Sequence, residues 1–190
     1  MHTFTLKRVL GFTGAIALVL ALLVWGVGLE TIKARQVDLL YLGKQHLLLV
    51  FTSMFFALVI GIPSGILLSR PAAKGFAEYV MQLFNVGNTL PPLAVLALAM
   101  VIIGIGDVPA IFALFLASLL PVVRNTYAGL CSVPASLIEA ANGIGMTKWQ
   151  RLRQVELPNA WPVMLAGIRI ATAINVGTAP LAFLIGASSY

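Results

Sequence analysis

Apolar residues run in long blocks separated by short polar stretches, and five blocks can be read at about 9–29, 45–69, 77–103, 108–130 and 161–187. Each reaches or exceeds the roughly 18 apolar residues that mark a membrane span. No block alternates as a barrel strand does. Lipid cannot satisfy open backbone groups, so each block predicts a helix. Several carry interruptions. The second contains Gly61, Pro63 and Gly65 and ends at Arg70-Pro71, and the third is broken by Asn85, Asn88, Thr89 and Pro91-Pro92. The fourth holds Pro121 and the fifth Pro180. The fifth runs out at 186–189 with no polar tail, which predicts at least one more helix beyond Tyr190.

Composition agrees with the pattern. Sixty per cent of residues are hydrophobic, 9% are charged, and the mean hydropathy is +1.00. Soluble chains carry about 25% charged residues, so the class is an all-α polytopic transmembrane bundle. Lys7-Arg8 before the first block imitates a secretory signal, but the block is long and ends without a small-x-small cleavage site, which predicts a retained helix. A lone cysteine, Cys131, excludes an internal disulfide framework, and no Cys/His cluster suggests a metal site.

Charge placement sets topology. With the N-terminus inside, the cytoplasmic side carries Lys7, Arg8, Arg70, Lys74, Arg124, Lys148, Arg151 and Arg153, while the outside carries Lys33, Arg35 and Lys44. That is the positive-inside bias, so the net charge of +6 reads as topology and contact with the lipid bilayer rather than a nucleic-acid footprint. Segment 132–158 falls in the cytoplasm. Within it, Ser132 is a candidate cap with Pro134 in the first turn, and a helix is expected from Ala135 to about Asn142, stopped by Gly143 and Gly145. Thr147-Lys148-Trp149-Gln150 is a capping-box pattern, predicting a second short helix to about Val155 that ends before Pro158. Ile138, Ala141, Met146, Trp149, Leu152 and Val155 are its expected apolar contacts. On physics alone the segment also reads as an amphipathic loop on lipid headgroups with Trp149 as anchor. Spans on both sides tie it to the bilayer, which argues against a DNA-reading helix–turn–helix.

The spacing goes further. Glu139-Ala140-Ala141, three residues, Gly145, nine residues, Val155, one residue and Leu157-Pro158 resembles the EAA loop of ABC-importer permeases, with Val155 in place of the usual Ile. The resemblance covers about residues 44–190, a type I importer transmembrane domain lacking its last helix. Residues 1–43 form an N-terminal transmembrane helix and periplasmic loop outside it. Segments Asn88–Ala94, Gly167–Ala171 and Ile174–Ala179 resemble permeases of osmoprotectant uptake systems of the OsmU and OpuC type, which import glycine betaine, choline or carnitine.

The resemblance implies a multi-pass protein of the bacterial inner membrane that performs no chemistry and binds no cofactor. ATP would be hydrolysed on a cytoplasmic ATPase partner. A periplasmic substrate-binding protein would deliver the solute, and a second permease subunit, identical or sister, would complete the pathway. Glu139, Ala140, Ala141, Gly145, Leu157 and Pro158 would couple the membrane helices to the ATPase, with Gly145 permitting the sharp turn.

Other polar residues stay open. Asn85, Asn88, Thr89, Asn175 and Thr178 are candidates either for lining the translocation path or for hydrogen bonds between helices. Arg169 either snorkels to water or serves the path. Glu78 reads as interfacial. Trp25, Phe51, Phe55, Phe56, Phe112 and Phe115 would suit a cation–π cage but equally face lipid. Import of methionine, sulfonate or phosphonate would use the same loop. An ion-coupled transporter would want buried acids or histidines, of which Glu78 is the lone candidate, and a membrane enzyme would want a nucleophile–base pair.

Overall fold

The computed structural model describes residues 2–87 and 89–187. Among them the elements are helical, in the order α1 (His2–Val27), α2 (Leu29–Ala34), α3 (Gln36–Leu68), α4 (Lys74–Gly87), α5 (Pro92–Ile103), α6 (Asp107–Cys131), α7 (Ala135–Gly143), α8 (Lys148–Arg151) and α9 (Leu157–Thr178). A single 3-10 turn at Pro71–Ala73 precedes α4, a π-turn at Leu152–Glu156 joins α8 to α9, and a 3-10 segment, Ala179–Ile185, follows α9.

Two compact units divide the chain at Leu42–Gly43. The first holds α1, α2 and the start of α3; Gly28 bridges α1 and α2, and exposed Arg35 pairs with Asp38 at 3.5 Å. The second holds the rest, and the site described below lies wholly within it.

Among the described residues, three helical stretches are long and apolar enough to cross a bilayer: Gln36–Leu68, Asp107–Cys131 and Lys148–Ile185. Gly11–Val27 is a shorter apolar helix. The block expected at 77–103 is a broken pair, Gly75–Gly87 and Pro92–Ile103, bent by 100°. Pro91-Pro92 is a sufficient cause: proline removes backbone donors and disfavours helix in the residue before it. Asn88, one of the residues proposed for the path, and residues 188–190 lie outside the described residues.

Lipid is as apolar as leucine, so helices in a bilayer gain little by hiding leucines from it and associate through close packing of small residues and hydrogen bonds. The second unit follows that rule. Gly61 and Gly65 of α3 sit against Val122 and Thr126 of α6, and Gly129 of α6 meets Ala160 of α9. Gly167 of α9 packs on Asn125 and the Pro121 carbonyl of α6. Proline inside α6 therefore lies at a contact, and the Asn125 side-chain amide donates to its carbonyl at 2.9 Å.

Apolar clusters fill the two ends. One gathers Leu49, Leu96, Leu114 and Ile185, and another gathers Leu130, Leu152, Ala160 and Met164. Between them sits a polar knot. Asn175, fully buried, donates through Nδ2 to Ser53 Oγ of α3 at 2.8 Å and to Ser118 Oγ of α6 at 2.7 Å. The Ser53 hydroxyl in turn donates to the Leu49 carbonyl at 2.7 Å.

Because a Cβ at position 167 would meet the Pro121 carbonyl at 2.9 Å, Gly167→Ala should lower stability in detergent by about 1–3 kcal/mol, the ordinary cost of overpacking. Gly177→Ala, where a Cβ meets nothing within 4 Å, should stay within about 0.5 kcal/mol of the parent. Thermal unfolding followed by size-exclusion chromatography compares the two.

Candidate functional site: the loop between α6 and α9

The loop begins where α6 ends. Ser132 is not the cap of α7: its hydroxyl donates back to the Gly129 carbonyl at 2.8 Å, closing the last turn of α6. Pro134 takes the N-cap position instead, with no side-chain hydrogen bond there. Proline suits the place because the first N–H groups of a helix have no intrahelical partner.

The far end of α7 is built by sequence-local chemistry. Gly145 adopts φ +80, the left-handed region that costs a β-carbon dearly. Its N–H donates to the Asn142 carbonyl at 3.0 Å, and the Met146 N–H donates to the Ala141 carbonyl at 3.1 Å. These are the paired bonds of a Schellman stop. Two residues later Thr147 starts α8 with a full capping box. Gln150 N–H donates to Thr147 Oγ1 at 3.3 Å, and Gln150 Oε1 accepts from Thr147 N–H at 2.9 Å.

The second short helix does not end before Pro158. Backbone runs on through the π-turn into α9, with Leu157 N–H donating to the Leu152 carbonyl, five residues back. Proline has no N–H and its ring crowds the carbonyl four residues earlier, so the chain ahead of Pro158 widens by one residue instead of breaking. The side-chain amide of Asn159 also donates to the Val155 carbonyl at 2.7 Å.

The π-turn carries a buried carboxylate held by two ion pairs. Glu156, with 6% of its side chain exposed, accepts from Arg70 Nη2 at 2.6 Å and from Arg151 Nε at 2.8 Å. Arg151 and Glu156 are five residues apart, the register of the π-turn itself. Arg151 Nη1 also donates to Asn142 Oδ1 of α7 at 2.7 Å. Arg70, just beyond α3, is steadied by Nε donating to the Ile66 carbonyl at 3.1 Å and by Ser69 Oγ at 3.2 Å. Removing the carboxylate would leave two guanidiniums facing each other. Breaking a buried pair costs about 3–5 kcal/mol, and the partial exposure of both arginines points to the lower end.

Among the residues expected to couple, Glu139 and Ala140 are exposed on α7, Ala141 is buried, Gly145 is exposed, Leu157 is half-buried and Pro158 is exposed. Within α7 only Ile138 and Ala141 turn inward. Leu137, Ile144 and Trp149 stand exposed around Glu139 in the sequence, so Trp149 is not an apolar contact of the loop as its spacing suggests. Met146 and Val155 are half-buried and Leu152 is buried.

The residues proposed for the path lie apart from this loop. Asn85 is exposed on α4, and Thr89 is exposed with its hydroxyl donating to the Val86 carbonyl. Thr178 is half-buried and donates to the Ile174 carbonyl, while Asn175 is enclosed in the polar knot between α3, α6 and α9. An apolar groove of about 490 Å³ is lined by Leu83, Phe84, Val86, Leu90, Leu120 and Ile174 among others. Arg169 and Glu78 are exposed. Among the described residues, Phe55 meets Phe56 and Phe112 meets Phe115, each pair within one helix.

Glu156 and Arg70 escaped the sequence reading. A signal existed: the chain holds six acidic residues, and Glu156 is the one that follows Arg151 and Arg153 just ahead of the last apolar block.

Comparison with known proteins places this geometry. Residues 57–189 match the family model described as binding-protein-dependent transport system inner membrane component. The chain is 90% identical over 190 residues to the osmoprotectant import permease protein OsmY of Salmonella typhimurium, spanning 100% of this chain and 80% of that protein. It is 42% identical over 149 residues to the glycine betaine/carnitine/choline transport system permease protein OpuCB of Bacillus subtilis, covering 78% and 68% respectively. Among solved structures it superposes on the inward-facing MetNI methionine ABC transporter with a TM-score of 0.69 at 28% identity, over 82% of this chain and 78% of that one.

Replacing Thr147 with Ala removes one side of the capping box, worth about 1 kcal/mol. Hydrogen exchange at the Gln150 and Arg151 amides should accelerate by about fivefold, while amides of α6 keep their protection.

Proposed function

The chain belongs to the family of binding-protein-dependent transport system inner membrane components, and from that premise we propose that it imports osmoprotectants such as glycine betaine. It is a permease subunit of the inner membrane. The solute class rests on the 90% identity to an osmoprotectant import permease and on 42% identity to a glycine betaine/carnitine/choline permease. Likeness to a methionine transporter, at 28% identity, supports the architecture more than the solute.

In this reading the chain carries out no chemistry. ATP is bound and hydrolysed by a cytoplasmic ATPase subunit, a periplasmic binding protein presents the solute, and a second permease chain completes the assembly. The N-terminus faces the cytoplasm, as the Lys and Arg bias favours. The loop from α7 to α8 then projects toward the ATPase.

The observation that carries the coupling assignment is the surface of α7. Its inward side is spent on Ile138 and Ala141, leaving Glu139 with exposed Leu137 nearby and exposed Ile144 and Trp149 just beyond its end. Exposed apolar residues ringed by polar ones are the ordinary make-up of a docking surface. The Schellman stop and capping box fix the angle at which α7 is offered, so docking costs little ordering. Closure of two ATPases around ATP draws the paired loops together and rocks the membrane helices as rigid bodies.

Glu139→Lys should weaken ATPase co-purification by at least about tenfold, or roughly 1.4 kcal/mol of docking free energy. Gly145→Val, strained at φ +80, should cut uptake of radiolabelled glycine betaine at high osmolarity. Uptake should also require the external binding protein. Wild-type co-purification and uptake in both variants would end the coupling assignment, and transport without a binding protein would contradict the import reading.

A further inference from the structure

We infer that Glu156 is a positioning residue that locks the α7–α8 loop to the ends of α3 and α9, so that a push on α7 reaches the membrane helices instead of bending the loop. The inference rests on the coupling reading above and adds the route by which force leaves the loop.

Covalent connection alone would transmit little. Upstream, α7 hangs from α6 by residues 132–134, and its N-cap has no side-chain bond. Downstream, it meets α8 through the turn at Gly145, whose backbone sits at φ +80 with open space around its α-carbon. Both joints rest on local bonds alone and reach neither α3 nor α9. What spans them is a relay of side chains. Asn142 on α7 accepts from Arg151 at 2.7 Å, and Arg151 donates to one carboxylate oxygen of Glu156 at 2.8 Å. The other oxygen accepts from Arg70 at 2.6 Å.

The ends of the relay are firm. Arg70 is held by its own bond to the Ile66 carbonyl in the last turns of α3, and Glu156 is the residue from which α9 starts. Charge-assisted bonds at these lengths are roughly twice as strong as neutral ones and directional. The carboxylate is nearly closed off from water, so screening does little to soften it. The π-turn adds a second reason for the placement. Such turns are rare, occur mostly as single insertions and cluster at functional sites. Here the Arg151–Glu156 pair clamps the turn across its own register, which keeps α8 and α9 from flexing where the extra residue loosens the backbone.

The relay predicts a separation between docking and coupling. Glu156 is buried and away from the exposed docking face of α7, so losing its charge should leave ATPase binding intact and waste the stroke. The test uses the assembled transporter in proteoliposomes, with the ATPase, the binding protein and radiolabelled glycine betaine. In Glu156→Gln the ATPase should co-purify as in the parent, and hydrolysis should continue. Solute moved per ATP should fall at least about fivefold, the lower end of ordinary coupling between sites. Glu156→Asp, which keeps the charge, should recover part of that ratio. Arg70→Gln, altering a partly exposed residue at a helix end, should reproduce the loss if Glu156→Gln assembles poorly. An unchanged ratio in Glu156→Gln, or in Arg70→Gln where it is the assembling variant, overturns the relay. That outcome is distinct from failure of the coupling reading, in which Glu139→Lys leaves ATPase co-purification untouched.

Discussion

A buried carboxylate between two guanidiniums organises one end of this bundle. Glu156 reaches Arg70 beyond α3 and Arg151 in the loop, and Arg151 in turn reaches Asn142 of α7. The end of α3 and the α7–α8 loop, 86 residues from Arg70 to Glu156, are thus joined through one side chain. Its weight comes from the surroundings: where lipid offers no hydrophobic reward for pairing helices, geometry is set by close small-residue contacts and by polar bonds with few alternative partners. Glycines bring α3, α6 and α9 into close contact, the Ser53–Asn175–Ser118 knot hydrogen-bonds all three, and Glu156 ties the loop to the end of α3.

What was legible in the sequence is what depends on near neighbours. Five apolar blocks predict helices, and α3, α6 and the α8–α9 stretch run close to the second, fourth and fifth, the last joined to α8. The Thr147–Gln150 capping box and the stop at Gly145 are present because each is completed within six residues. Reading failed where a local signal had a rival. Ser132 looks like a cap for α7, but its hydroxyl is taken by the last turn of α6. Pro158 looks like a terminator, but a one-residue widening of the helix absorbs it. The pairings of Glu156 could not be read for two physical reasons: five-residue spacing is no α-helical register, and Arg70 lies 86 residues away. Asn175 was legible as an unusual polar residue in a span, yet only the fold reveals the two serines that enclose it.

Family and mechanism divide along the same line. Membership in the transport family follows from residues 57–189, and solute class follows from resemblance to permeases that carry osmoprotectants in their names. Neither explains how a nine-residue helix could move a bundle. That explanation comes from the chain's own side chains: an α7 that buries two residues and offers the rest outward, held at a set angle by its two turns. In the proposed mechanism the exposed α7 surface is the face that is pushed and the Glu156 relay is the joint that does not give.

Rigidity of that joint can be measured. Spin labels at Ser136 on α7 and Leu67 near the end of α3, both exposed, would report their separation in the assembled transporter with and without bound ATP. If the loop and α3 move as one body, the distance distribution between these labels stays single and unchanged, while that between the Ser136 positions of the two permease chains shifts with nucleotide. A Ser136–Leu67 distance that changes with ATP would show that the loop bends on its own and would contradict the account.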